Sequence, residues 1–93
     1  MNVAQFFDFY KYLLKNKKNP VVNVDASHGE VFVPRDLIDE DGTISLGIGP
    51  KSVRNLKVLN DTVYCRATFN KNVFCISFPL NNVIEMSFLT NDE

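Results

Sequence analysis

One amphipathic stretch, followed at Pro20 by a switch to short alternating segments, constrains this chain more than any other feature. Val3, Phe6, Phe7, Tyr10, Leu13 and Leu14 recur at spacings of three and four, so a helix gathers them into one apolar stripe. Asn2 is placed to cap that helix, and Gln5 completes a capping-box pattern. Lys15, Lys17 and Lys18 suit the negative end of the helix dipole. Asn19-Pro20 is expected to stop the helix, because the residue before a proline is pushed out of the α region. Phe9 and Tyr12 lie off the stripe and widen the apolar surface. They either cover the rim of a sheet or mark a second contact surface.

Beyond Pro20 the chain reads as strands. Val22 and Val24 alternate with Asn23 and Asp25. His28-Gly29 is expected to turn, and Val31-Phe32-Val33 to form a short strand ended by Pro34. Residues 36–42 are acidic and irregular, closing on the turn signal Asp41-Gly42. Ile44, Leu46 and Ile48 alternate again, and Gly49-Pro50 leads into residues 52–56, read as a helical turn that sets Val53 and Leu56 on the core. The remainder reads as a meander. Val63, Cys65, Ala67 and Phe69 share one face of a strand, Phe74, Ile76 and Phe78 share a face of the next, and Pro79 ends it. Ile84, Met86 and Phe88 are expected on one face of a last strand, with a polar tail from Thr90. One helix and several short strands spaced by turn signals predict an α+β fold in which an N-terminal helix precedes a strongly bent, partly open antiparallel β-barrel-like sheet.

The 93 residues make one domain, 1–93, and a hydrophobic share of 45% with eight Phe is enough for a packed core. Ten basic against eleven acidic residues, net charge -1, argue against a dedicated nucleic-acid binder, which needs a basic stripe to displace counterions. No apolar run approaches a membrane span, and the first residues lack the basic region of a secretory signal, so the cytoplasm is the expected location. Cys65 and Cys75 are the two cysteines, both in apolar alternating segments. A turn at Asn70-Lys71-Asn72 pairs Cys65 with Ser77 and Cys75 with Ala67, leaving the cysteines diagonal to each other. Two buried, reduced thiols are therefore expected, not a disulfide or a metal pair.

Signals for chemistry are sparse. His28 stands alone in a turn, so no nucleophile, base and acid can be assembled, and the chain does not read as an enzyme. The acids at 36–41 lack the alternating ligands of a calcium loop. Gly47-Ile48-Gly49-Pro50-Lys51-Ser52 lacks phosphate-loop spacing, and its proline removes an amide donor. No metal or cofactor is expected. A bent open sheet does offer edges along which an extended peptide can dock through main-chain hydrogen bonds. Ala67, Gly47 and Gly49 are small enough to admit a neighbouring backbone, although for Ala67 the residues alone favour the plainer reading that it fills a tight core position.

At this point a resemblance emerges. Phe9-Tyr10-x-Tyr12-Leu13-Leu14-x-Asn16 is similar to the first helix of the stringent starvation protein B family, an aromatic pair followed by Trp-Leu and Asn. Val24-Asp25 with Val31-Phe32-Val33-Pro34 resembles its "VD…V.VP" segment. Most specific is the stretch 41–56, DGTISLGIGPKSVRNL, beside the family's "DGxIxLNIxPxAVxNL". Asn60-Asp61 then precedes Ala67-Thr68-Phe69, where the family has "ARF", and Ile76-Ser77-Phe78-Pro79-Leu80 with Val83 and Ile84 resembles "VSVPxxAVxxI". The blocks run in order along almost the whole chain.

The resemblance implies an Sm-related bent sheet that forms a homodimer through its first helix, at Phe6, Phe9, Tyr10 and Leu13. It implies an adaptor that captures the polar part of the ssrA degradation tag and hands tagged proteins to the ClpXP protease. The family's peptide groove runs beside the position of Ala67, with Thr68 next to it, and further lining is expected from Leu46, Gly47, Ile48, Ser77 and Phe78. This chain departs from the family where Thr68 replaces the usual arginine, Asn70-Lys71 a Gly-Gly, and Gly47 the Asn of "LNI". Those changes leave open a peptide or protein interaction module with a different ligand. The family's ClpX-docking motif lies on an acidic C-terminal linker, and the sequence ends at Glu93 without it. An Sm-like RNA binder is disfavoured because no basic stripe or exposed aromatic ladder is apparent in the sequence.

Overall fold

The computed structural model describes residues 1–28 and 30–90. Helix α1 (Val3–Lys15) begins as its cap residues dictate: the Asn2 side chain accepts from the Gln5 amide at 2.8 Å, and the Asn2 amide donates to Gln5 Oε1 at 3.0 Å. It ends four residues earlier than the turn at Pro20 would require. Lys17 turns the chain with φ 60°, and strand β1 (Lys18–Asp25) runs straight through Pro20. The proline is tolerated because its carbonyl, and with it the ring nitrogen, points past the end of the neighbouring strand, towards the amide of Ile48 at 2.9 Å.

The strands form two antiparallel three-stranded sheets. β1 lies at the centre of the first, between β2 (Thr43–Gly47) and β6 (Val83–Thr90). The second has the order β3 (Val53–Leu59), β4 (Thr62–Phe69), β5 (Asn72–Pro79). The fold is α+β, and the sheets do not close into a full barrel. Short 3-10 turns, Arg35–Leu37 and Leu80–Asn82, punctuate the loops. α1 packs against β1, and Phe6, Val22, Val24, Ile48, Val63 and Phe78 are fully buried between the layers. Among the described residues no helix is long and apolar enough to cross a membrane.

Several local expectations are corrected. Residues 53–56 are strand, not helical turn. β3 pairs Val53 with Ala67 and Arg54 with Arg66, and then places both Asn55 and Leu56 opposite Cys65 before Lys57 meets Tyr64. Asn55, at φ 59°, is the extra residue of a β-bulge. The bulge stretches the inward spacing from two to three, and that is why Val53 and Leu56 imitate a helical repeat.

The β4–β5 turn is also one residue tighter than expected. Asn70 and Lys71, both at positive φ (50° and 68°), make a two-residue primed turn. Cys65 therefore pairs with Ile76 and Cys75 with Arg66. A one-residue slip moves every side chain of a strand to the opposite face, so Cys65 is buried as expected while Cys75 is exposed.

Two further strands differ. Only Phe32 of the 31–33 segment pairs, in a single bridge to Ser77. In β6 a register shift opposite Asn23 and Val24 leaves Ile84 as the extra residue. Met86 and Phe88 keep a common face beside Val22 and Pro20, with Met86 half-buried and both Ile84 and Phe88 exposed. Lys18 sets its ammonium 4.7 Å from the centre of the Phe88 ring. His28 lies in a bend. Gly29 of its expected turn, and residues 91–93 of the tail, lie outside the described residues.

Candidate functional site

Both sheets have free edges, and two edge strands, β2 and β3, line one cleft of about 630 Å³. Their local chemistry explains its shape. Leu46, Val53 and Ala67 point towards the core and form an apolar floor, each nearly buried. Ser45, Gly47 and Ser52 border one side, and Arg54, Arg66 and Thr68, on the alternate positions of β3 and β4, border the other. Gly47 leaves the mouth open: a Cβ there would stand 3.4 Å from Ser52 Oγ. Gly49 sets the turn between the two strands, because a Cβ would lie 3.2 Å from both the Asn19 side chain and the Pro20 ring, tighter than most real contacts.

Of the groove residues expected from sequence, Leu46, Gly47, Ala67 and Thr68 come together here. Ile48, Ser77 and Phe78 do not line this cleft. Ile48 is fully buried, its amide donating to the Pro20 carbonyl and its carbonyl accepting from the Tyr10 hydroxyl at 2.9 Å. Phe78 is a core side chain at 0% exposure. Ser77 lies on a second, more apolar hollow of about 840 Å³, lined also by Phe32, Leu56, Tyr64, Cys75 and Ile76. Asn55 and Arg66 border both cavities and join them into one band across the second sheet.

Sequence reasoning passed over Phe32, Tyr64 and Arg66. The signal was present for two of them: Tyr64 and Arg66 are the outward positions of β4's alternation. Phe32 carried no such signal, because one bridge is too little to show as periodicity.

Lys51, Arg54, Lys57 and Arg66 ring the two cavities, and among the described residues no carboxylate lines either. Burial pushes the Cys65 thiol up to about 11, so it stays protonated. Burial likewise raises Tyr10, with the nearby Cys65 adding to the effect, and keeps its hydroxyl a donor to Ile48. Among the described residues no three His, Cys, Asp or Glu side chains gather into a metal-sized cluster. The arrangement offers strand edges, an apolar floor and cations. It suits holding an extended chain.

At the helix, Phe6, Tyr10 and Leu13, expected at a dimer contact, are buried within this chain's own core. Phe9 is half-buried and stacks on exposed Tyr12, ring centres 6.3 Å apart and planes 15° from parallel. That aromatic pair is what α1 presents outward.

No family model matches the chain.

Proposed function

We propose that this domain captures an extended peptide in the cleft between β2 and β3, and that the peptide is the polar part of an ssrA-type degradation tag. The observation that carries the reading is the pair of unpaired strand edges on one cleft whose floor is Leu46, Val53 and Ala67. An incoming strand can hydrogen-bond to either edge while its alternate side chains meet that floor. Ordered sequence blocks resembling the stringent starvation protein B family support the choice of ligand, and with it a role as adaptor for the ClpXP protease. Homodimerisation, on this reading, would use the Phe9–Tyr12 surface of α1.

Calorimetric titration with a synthetic peptide carrying the tag's Asn, Asp, Glu and Tyr tests the capture. Binding is expected for the native chain. Ala67→Gln, which fills the floor, and Gly47→Val, which narrows the mouth, should each weaken it by about tenfold or more, the loss of roughly 1.4 kcal/mol of contact. Gly47→Val matters because Ala67 is itself nearly buried, so its replacement can also disturb packing. Absence of heat with several such peptides, from a chain that melts cooperatively, would sink the reading. Capture of a different, untagged peptide in a pull-down would favour the interaction-module alternative, to which Thr68, Asn70-Lys71 and Gly47 point.

A further inference from the structure

The near-neutral total charge conceals a partition. Residues 42–84, which carry β2 and the whole second sheet, hold five cations, Lys51, Arg54, Lys57, Arg66 and Lys71, against one acid, Asp61. The rest of the chain holds five cations and ten acids. Such asymmetry between parts of one chain points to an anionic partner. In the fold, Arg54 stands opposite Arg66 and Lys57 opposite Tyr64, all four exposed. Like charges facing each other across strands repel, and among the described residues no carboxylate lines the cavities beside them.

Two rows of side chains cross this face. One runs Lys57, Tyr64, Ser77, Phe32, paired strand to strand, and Phe32 is held to Ser77 by mutual backbone hydrogen bonds of 2.9 and 3.1 Å. The other runs Arg54, Arg66, Cys75 and lies two residues further along β4, about 7 Å away. In the first row a small side chain, Ser77, separates two rings. Tyr64 and Phe32 thus stand two strand spacings apart, roughly 10 Å at the backbone, and border the hollow of about 840 Å³. Phe32 is 60% and Tyr64 39% exposed, so both rings are open to a ligand.

A flat heterocycle entering over Ser77 meets an aromatic ring on either side, while a charged group attached to it falls on the arginine row. Main-chain groups offer little here. β4 is paired on both sides and β5 is closed at Ser77 by Phe32, so no strand edge is free at this hollow. That favours a ligand held by stacking and charge over one held by strand addition.

We propose that the outer face of the second sheet binds single-stranded nucleic acid. One base lodges between Tyr64 and Phe32, and the neighbouring phosphates lie on Arg54, Lys57 and Arg66. This goes beyond peptide capture, which uses the edges of β2 and β3, and does not depend on it. Stacking accepts any base, and three cations neutralise few phosphates, so binding is sequence-tolerant and sensitive to salt.

The test is fluorescence anisotropy with labelled single strands of about eight nucleotides, oligo(U) RNA and oligo(dT) DNA, competed by poly-glutamate. Both strands should bind the native chain, and the tighter of the two identifies the preferred sugar. Three phosphate contacts predict a slope of about -2 in log affinity against log salt, which is about a twentyfold loss between roughly 50 and 200 mM. Tyr64→Ala should weaken binding about tenfold and keep that slope, because it removes stacking and no charge. The double variant Arg54→Gln, Arg66→Gln should flatten the slope to about -0.7. Absence of an anisotropy change with either strand at low salt overturns the proposal. So does unchanged affinity in a Tyr64→Ala chain that melts like the native one. Displacement of the strands by poly-glutamate at equal charge also overturns it, by assigning the face to acidic chains in general. The native slope and Tyr64→Ala decide the matter even if the double variant fails to fold.

Discussion

The two sheets have the same number of strands but are covered very differently. In the first, β1 lies between two neighbours with α1 across it, and none of its residues is fully exposed. In the second, β4 is also central, yet its residues alternate strictly: Val63, Cys65 and Ala67 face the core, while Tyr64, Arg66 and Thr68 face open space. The covered sheet joins helix and barrel into one packed layer. The half-covered sheet shares that core on one side and leaves a cationic, partly aromatic surface on the other. Ala67 belongs both to the core and to the cleft floor; elsewhere in β4, residues that stabilise the fold and residues free to bind are separated by strand face, one position apart.

Truncation across that divide should give the largest contrast. Phe6→Ala removes a fully buried ring stacked near Tyr10 and should lower unfolding free energy by about 3–5 kcal/mol in a denaturant titration. Tyr64→Ala, on the open face, should stay within about 1 kcal/mol. Comparable losses at the two positions would break the comparison.

The cysteines sharpen it on adjacent strands of a single sheet. Cys65 points inward with its thiol pushed up to about 11, against an ordinary value of 9.0, whereas Cys75 is exposed. At neutral pH that shift alone leaves Cys65 with about a hundredfold less thiolate than an ordinary cysteine. A maleimide added to the folded protein should modify Cys75 alone, and Cys65 only after denaturant is added, as peptide mass spectrometry would reveal. Equal modification in the folded state would mean that the β4–β5 register is wrong.

The smallest effect concerns acid at the loop ends of the covered sheet. The Ser27 hydroxyl, followed by the Ser27 amide, lowers the pKa of Asp25. The Thr43 hydroxyl and amide do the same for Asp41. A carboxyl whose folded value lies below its unfolded one stabilises the fold fully above the ordinary value, 3.8 here, and loses that contribution as pH falls through the lowered native value. Thermal melts from about pH 5 down to about pH 2 should thus decline less steeply for Asp25→Asn with Asp41→Asn, since the amides keep the acceptor and do not titrate. An unchanged slope would remove these two turns from the acid sensitivity.

Much of the covered half was legible in the sequence. The stripe from Val3 to Leu14, the Asn2–Gln5 cap and the inward sets of β1, β2 and β4 all follow from local periodicity, which depends only on neighbours along the chain. Of the cleft, Leu46, Gly47, Ala67 and Thr68 could be named, because small residues in strands hint at a close approach. Ile48 and Phe78 were misjudged as lining for the same reason that they were noticed: alternation identifies a face, but not whether that face meets core or cavity.

Sequence by itself therefore determined the element types, the helix cap, the net charge and the inward face of most strands. Tertiary structure alone decided the bulge at Asn55, the two-residue turn at Asn70-Lys71, the isolated pairing of Phe32, and the opposition of Arg54 to Arg66. Each of these depends on left-handed backbone residues or on pairing between distant segments, and a shift of one residue in either reverses which side chains see water.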